Sequence, residues 1–119
     1  MALTPRVHIQ SEKVGPVTVV RFKVDRLIAD EDIIEFEEEM NRLTTGPAPQ
    51  ILLDFKGLRQ MSSSAIGKLL VLRRKIAEAR GEFKLCRLSS EIREVFEITK
   101  LNQTFSIFDD ESSAMNAFR

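Results

Sequence analysis

The chain has 119 residues, the length of one ordinary domain, and we expect residues 1–119 to form a single domain. Eighteen basic residues balance eighteen acidic ones, which argues against nucleic acid as a partner. One cysteine and one histidine exclude an internal disulfide and a multi-cysteine zinc site. We therefore expect no metal and no cofactor.

The composition also bears on the compartment. A single cysteine is typical of the reducing cytoplasm, where we expect the protein to reside. No apolar run approaches the ~20 residues that cross a bilayer, so we expect no membrane insertion. Hydrophobic residues make up 43% of the chain, enough to build a core without covalent cross-links.

The first elements are predicted from a change of hydrophobic period. Residues 7–10 and 17–24 alternate apolar and polar side chains, which indicates two strands of a hairpin. Residues 11–16, which contain Gly15 and Pro16, are expected to form the turn. From Asp30 onward apolar residues recur every three or four positions, which predicts a helix that ends at residues 45–47.

The second half alternates strands and helices. Residues 51–55 are a nearly continuous apolar run typical of a central strand, and residues 56–61 are its expected exit loop. Ser62, Ser63 and Ser64 precede a long helix that ends at Arg80 and Gly81, with glycine as the C-cap. Further elements are predicted as a strand over residues 83–88, a helix capped by Ser89 or Ser90, a strand over residues 105–108 and a helix capped by Asp109 or Asp110.

The predicted order is β-β-α-β-α-β-α-β-α. It indicates an α/β fold with about four helices, in which a largely parallel sheet is opened by an antiparallel hairpin. One core is expected to contain ten apolar side chains: Ile51, Leu53, Phe55, Ile66, Leu69, Leu70, Leu85, Val95, Phe96 and Phe105.

The sequence contains fragments of two catalytic motifs, and neither motif is complete. Gly67 and Lys68 do not complete a phosphate-binding loop, because Ser62 stands where the first glycine belongs and Leu69 replaces the required hydroxyl residue. Ser64 and Lys68 are four residues apart, whereas serine-lysine hydrolases use a step of three. No set of residues for acid-base catalysis can be assembled, and we expect the protein not to be an enzyme.

Several residues have both a structural and a functional interpretation. Cys86 lies in mid-strand and is interpreted as a small structural residue. His8 has no identifiable partner and is interpreted as structural or merely exposed. The acidic run over residues 37–39 is either a solvated helix face or an acidic docking face. The serines at 62–64 are either ordinary helix caps or a functional site.

A resemblance to a known family supports the functional interpretation of the serines. Residues 51–58, ILLDFKGL, followed by residues 61–70, MSSSAIGKLL, resemble the signature of the STAS domains, the anti-sigma factor antagonist family. Residues 94–101 and 105–108 and the late Ser113 and Ala114 resemble the third helix, last strand and closing helix of that family. The resemblance covers roughly residues 7–118.

The resemblance implies a STAS-like mixed sheet and a protein that works by binding. Family members bind a partner, commonly an anti-sigma factor that is also a serine kinase of the histidine-kinase-like ATPase fold, and phosphorylation of one serine ends the partnership. The acceptor in the family pattern Asp-Ser-Ser-Gly-Leu-Gly corresponds to Ser63. The chain differs from the pattern at Ser62, where aspartate is usual, and at Ile28, another frequently acidic place.

The implied partner-binding residues surround the acceptor. They are Leu58, Met61, Ser62, Ser63 and Ser64. If exposed, Leu58 and Met61 would supply apolar contact area; the alternative is that either belongs to the core. The start of a helix favours an anion, so the fold would tolerate a phosphate that disrupts partner binding. The alternative function is a STAS scaffold or accessory subunit that is never phosphorylated, in a stress-sensing assembly or a lipid-transport complex.

Overall fold

The computed structural model describes residues 8–119, which contain the strands and helices of the predicted order together with two further short strands, β3 and β5 below. A turn of 3-10 helix over Leu101–Gln103 follows the third α-helix. The elements are β1 (Ile9–Val14), β2 (Val17–Phe22), β3 (Arg26–Leu27), α1 (Asp30–Leu43), β4 (Gln50–Asp54), β5 (Gln60–Met61), α2 (Ser63–Glu78), β6 (Glu82–Cys86), α3 (Ser90–Ile98), β7 (Ser106–Phe108) and α4 (Glu111–Asn116).

The main sheet has the strand order β1-β2-β4-β6-β7. The β1 and β2 strands are antiparallel and every other neighbouring pair is parallel, which confirms the predicted mixed sheet. Val14 pairs with Val17, so only Gly15 and Pro16 form the hairpin turn and the predicted turn over residues 11–16 is too long. Gly15 has a φ of +61°, a conformation that glycine adopts without steric cost. Residue 7, predicted in the first strand, lies outside the described residues.

A second, two-stranded sheet is not predicted by the sequence. β3 and β5 pair in parallel, and β5 lies inside the predicted exit loop over residues 56–61. Each strand has two residues, too few to show a hydrophobic period. The pairing is continued by a hydrogen bond from the Ser62 N–H to the Leu27 carbonyl at 3.1 Å. This small sheet fixes the chain before α1 against the chain that enters α2.

The main sheet is covered by helices on both faces. Alternate residues of β4 point to opposite sides. Ile51 and Leu53 pack in the large core with α1, α2 and α3, whereas Leu52 packs in a smaller core with Cys86 and Ala114 of α4. The long helices therefore lie on one face, and the short α4 lies on the other.

The predicted core is correct for most of its members and wrong for two. Leu70 and Val95 are 38% and 39% exposed. Leu70 follows the buried Leu69, and successive side chains diverge by about 100° around a helix, so the two cannot share one face. Ile66 is partly buried against the large core, and the remaining seven are buried in it: Ile51, Leu53, Phe55, Leu69, Leu85, Phe96 and Phe105.

The end of α2 also differs from the prediction. The residue with left-handed backbone is Arg80, at a φ of +62°, and Gly81 is not the C-cap. Gly81 is required for another reason, because a Cβ atom there would lie 2.1 Å from the Pro49 carbonyl oxygen. The glycine permits the close approach of β6 to the chain that enters β4.

Candidate functional site

The candidate site begins at the first turn of α2. Ser62 is the N-cap, and its Oγ accepts a hydrogen bond from the Ala65 N–H at 3.2 Å. This bond satisfies one of the amide groups that a helix start leaves without a partner. Ser63 is the first helical residue, and both Ser63 and Ser64 are exposed. The capping interpretation therefore holds for Ser62 and leaves Ser63 at the surface.

The capping geometry explains why serine is suitable at position 62. Serine and aspartate are both among the strongest N-cap residues, because each presents an oxygen to the second or third helical N–H. The substitution for the usual aspartate of the family pattern thus keeps the local structure of the α2 start. What it removes is a negative charge beside Ser63.

A groove opens beside the serines. It has a volume of about 380 Å³ and lies between the β3 end, the β5 strand and α3. Apolar side chains from four segments form much of its wall, and Ile28 among them is 45% exposed. Arg59 and Glu91 form an ion pair of 3.5 Å at the groove. The lining residues are Ile28, Arg59, Gln60, Met61, Ser62, Ile66, Glu91, Ile92 and Val95.

The outer face of α2 continues the surface away from the groove. Ser63, Gly67 and Leu70 are spaced by four and three residues, which places them on the same side of the helix. Leu70 is exposed, and a Cβ atom built on Gly67 meets no other atom within 4 Å. This face of α2 therefore has no side chain at Gly67 and an exposed apolar side chain at Leu70. Another protein could approach the helix backbone closely at Gly67.

The five residues predicted to bind a partner do not all reach the surface. Leu58 is 1% exposed and packs in the large core, so of its two interpretations the core one is correct and its place among the partner-binding residues is wrong. Its N–H donates to the Phe55 carbonyl at 2.9 Å, which turns the chain inward after β4. Met61 is half-buried and lines the groove with Ser62. Ile28, Ile66 and Val95 complete the groove and were not predicted as binding residues.

A buried charge network lies near the same edge of the sheet. Asp54 is fully buried, and Arg87 donates to it from Nε at 3.0 Å and also from Nη2. Arg87 donates to Glu111 of α4 at 3.1 Å, and so does Arg21 from Nη2 at 2.9 Å. Burial acts to raise the pKa of Asp54, but the Arg87 hydrogen bonds hold that pKa below its ordinary value. The network joins α4 to the sheet.

Cys86 lies next to this network and is buried. Burial, together with the nearby Asp54 and Glu111 carboxylates, raises the pKa of its thiol to about 12. The thiol therefore stays protonated at neutral pH and is a poor nucleophile. These features agree with the structural interpretation of Cys86.

Comparison with models of known protein families identifies the family of this chain. A family model of the STAS domain matches residues 8–114. The chain belongs to the STAS domain family. This confirms the resemblance drawn from the strand and serine motifs. Within residues 8–119, no helix is both long enough and apolar enough to cross a membrane.

Individual relatives agree with this assignment. A Bordetella bronchiseptica protein, BtrV, carries a name that describes an anti-sigma factor antagonist, and it is 30% identical over 70 residues. The match covers 59% of this chain and spans 60% of the length of that relative. Two solved structures show the same fold at lower sequence identity.

The first structure is an anti-sigma-factor antagonist (STAS) domain protein from Planctomyces limnophilus, with a TM-score of 0.84 and 24% identity over 95% of this chain and 98% of that chain. The second is the Bacillus cell fate determinant SpoIIAA in its phosphorylated form, with a TM-score of 0.69 and 22% identity over 91% of this chain and 96% of that chain. The fold is thus that of anti-sigma factor antagonist proteins.

Proposed function

We propose that this STAS domain protein is a phosphorylation-controlled antagonist of an anti-sigma factor, that it acts by binding rather than by catalysis, and that Ser63 is the phosphorylated residue. The observation that carries the proposal is the position of Ser63. It is exposed in the first turn of α2, on the same side of the helix as Gly67 and next in sequence to Ser62, which lines the groove.

The α2 start is suited to carry a phosphate without unfolding. The first turn of α2 contains no acidic residue, so a phosphate there meets no neighbouring like charge on the helix. Helix N-termini present free N–H groups and a partial positive charge, both of which favour an anion. The cap hydrogen bond belongs to Ser62, so modification of the Ser63 hydroxyl leaves that bond in place.

The same phosphate would oppose partner binding. It adds about −1.5 to −2 elementary charges at neutral pH. An apolar partner surface seated on Ile28, Met61 and Val95 would have to desolvate that charge, and burial of an unpaired charge is strongly unfavourable. Phosphorylation is therefore expected to end the partnership while the fold persists.

The proposed partner is an anti-sigma factor or a serine kinase of the histidine-kinase-like ATPase fold, encountered in the cytoplasm. The name of the Bordetella relative and the existence of SpoIIAA in a phosphorylated form support this assignment. Ile28 stands at a place that is frequently acidic in the family, so the contact made there by this partner is expected to be apolar.

The test compares two substitutions at Ser63 with the unmodified chain. The Ser63→Ala variant should capture the partner as well as wild type and should accept no phosphate from the captured kinase and ATP. The Ser63→Asp variant should capture less partner, and only in part, because aspartate carries less charge than phosphoserine. The measurements are affinity capture with quantitative mass spectrometry and phosphosite mapping.

The matched control is Ser112→Asp, which places the same charge in the first turn of α4 on the other face of the sheet. It should leave partner capture unchanged. Phosphate found only on Ser62 or Ser64 would show that the acceptor is misassigned. Full capture by Ser63→Asp, together with no phosphate on any of the three serines, would favour the unphosphorylated scaffold instead.

A further inference from the structure

A cluster of one histidine and three carboxylates lies apart from the α2 surface. His8 is fully buried just before β1, and its backbone carbonyl accepts a hydrogen bond from the Lys23 N–H at 2.7 Å. Its ring faces α1, where Asp32, Glu35 and Glu39 are spaced by three and four residues and so follow one side of the helix. His8 is therefore not merely exposed, and it has a partner, Asp32, that the sequence does not identify.

The hydrogen bond to Asp32 determines which nitrogen of the His8 ring carries a proton in the neutral imidazole. His8 Nε2 lies 3.0 Å from Asp32 Oδ1. An ionised carboxylate only accepts hydrogen bonds, so Nε2 is the donor in this pair. In the neutral imidazole the other nitrogen, Nδ1, then carries a lone pair.

The Nδ1 atom faces two further carboxylates. Nδ1 lies 3.3 Å from Glu35 Oε2 and 3.8 Å from Glu39 Oε1. Within the described residues neither His8 Nδ1 nor Glu35 Oε2 has a hydrogen-bond partner, although both atoms are buried. Buried polar atoms are rarely left without partners, so a group that attracts all of these atoms is expected between them.

We propose that His8 and Glu35 bind a divalent first-row transition metal ion such as Zn²⁺, with Asp32 as the residue that orients the histidine and with the Glu39 carboxylate, whose Oε1 lies 3.8 Å from Nδ1, beside the site. Ligand atoms held about 2.1 Å from one metal ion are roughly 3.0 to 3.5 Å from each other, and the Nδ1 to Oε2 separation of 3.3 Å meets this requirement. His8, Asp32 and Glu35 bring candidate ligand atoms within 4.8 Å of one another.

The surroundings fit a metal centre in two further respects. A histidine that binds a metal nearly always donates its other ring N–H to a carboxylate, a backbone carbonyl or water, as His8 does to Asp32. The Glu35 side chain is 43% exposed, which leaves a path for the ion and for water at the remaining coordination positions. A mixed imidazole and carboxylate set suits Zn²⁺ or Mn²⁺ better than Mg²⁺, which prefers oxygen ligands. The bound ion would join the start of β1 to α1.

The experiment uses the full chain, without a polyhistidine tag and treated with a chelator. Because the sequence contains one histidine, its ring resonances are assigned without ambiguity in long-range ¹H–¹⁵N spectra. Addition of Zn²⁺ should move the Nδ1 resonance to the metal-bound position while Nε2 stays protonated. Calorimetry should show one Zn²⁺ per chain and weaker binding of Mg²⁺.

Variants assign the ligands. Asp32→Asn should weaken Zn²⁺ binding by about 10- to 100-fold, the effect typical of an orienting carboxylate, and Glu35→Gln by at least as much. Glu38→Gln is the matched control, because it removes one charge from an exposed glutamate of the same helix and should leave the affinity unchanged. His8→Gln should abolish binding, with circular dichroism as the check that the chain is folded.

Two results would overturn the proposal. One is an imidazole that does not respond to Zn²⁺ and is protonated on both nitrogens, which would make His8 a charged bridge between carboxylates. The other is Zn²⁺ binding that Glu35→Gln and Glu38→Gln weaken equally, which would show diffuse attraction to an acidic helix. Neither result bears on Ser63, so the proposed function is tested separately.

Discussion

Asp54 shows how far a single residue can be interpreted from its local sequence. It stands in the apolar run over residues 51–55, which the sequence predicts correctly as a buried strand. The partner of its charge is Arg87, 33 residues later in the chain. The two meet because β4 and β6 are parallel neighbours that bring Asp54 opposite Cys86. The strand is encoded locally, whereas the ion pair depends on the sheet order.

The first prediction at this scale is that Asp54 makes stability depend on pH. Its pKa in the folded chain lies below the unfolded value of about 3.9, so its contribution is fully present above that pH and is lost as the pH falls through the folded pKa. Asp54→Asn should lower the free energy of unfolding by about 2–3 kcal/mol at neutral pH. The difference from wild type should shrink on acidification, as measured by urea unfolding across a pH series.

The control for this prediction is Asp109→Asn. Asp109 also pairs with an arginine, Arg93 at 3.3 Å, but its side chain is 92% exposed. Exposed ion pairs contribute little to stability. The free energy of unfolding of this variant should therefore stay within about 0.5 kcal/mol of the wild-type value at every pH. Equal behaviour of the two variants would show that the Asp54 network does not stabilise the fold.

At the scale of elements, helix starts were predicted well and other boundaries less well. Ser89 accepts from the Ile92 N–H at 3.2 Å and Asp110 accepts from the Ser113 N–H at 2.7 Å, and both are among the predicted caps. A cap needs only residues within one turn, so the local sequence contains the whole signal. The C-terminal end of α2 depends on the approach of Gly81 to Pro49, a tertiary contact that no local pattern shows.

Gly67 provides a prediction for α2 as an element. Glycine inside a helix costs about 1 kcal/mol relative to alanine, and the open space around Gly67 accepts a methyl group. Gly67→Ala should therefore raise the free energy of unfolding by about 0.5–1 kcal/mol. If the partner approaches this face closely, the same methyl group should weaken partner capture.

The measurements are urea unfolding and affinity capture on the same preparations. Ser112→Ala is the control, since it improves helix propensity in α4 on the other face of the sheet and should leave capture unchanged. A Gly67→Ala variant that is more stable and captures the partner normally would show that the outer face of α2 lies outside the interface.

For the whole molecule, the sequence predicts the class of fold and the location of the serines, but not the complete surface. The alternation of strands and helices follows from local periods, and the STAS resemblance supplies the role assigned to Ser63. The groove beside it is assembled from Ile28, Ile66 and Val95, which lie on three separate segments. Ile66 and Val95 were predicted as core, because an apolar residue beside a buried helical face has the same spacing as one on it.

The last prediction separates the core from the surface with two neighbouring residues of α3. Phe96 is fully buried, with its ring centroid 5.8 Å from that of Phe105, so Phe96→Ala should lower the free energy of unfolding by about 3–5 kcal/mol. Val95 is 39% exposed and lines the groove, so Val95→Ala should cost less than about 1 kcal/mol. Urea unfolding measures both changes in free energy, provided that the two variants have the same dependence of free energy on urea concentration.

Under conditions where both variants are folded, Val95→Ala should capture less partner than Phe96→Ala, the opposite of their order in stability loss. Val95→Ala removes apolar contact area from the groove and should reduce capture directly, whereas Phe96→Ala acts only through the folded fraction. A large loss of stability in Val95→Ala would show that Val95 contributes to the core rather than to the binding surface. Normal capture by Val95→Ala would instead confine the interface to the α2 side of the groove, around Ser63.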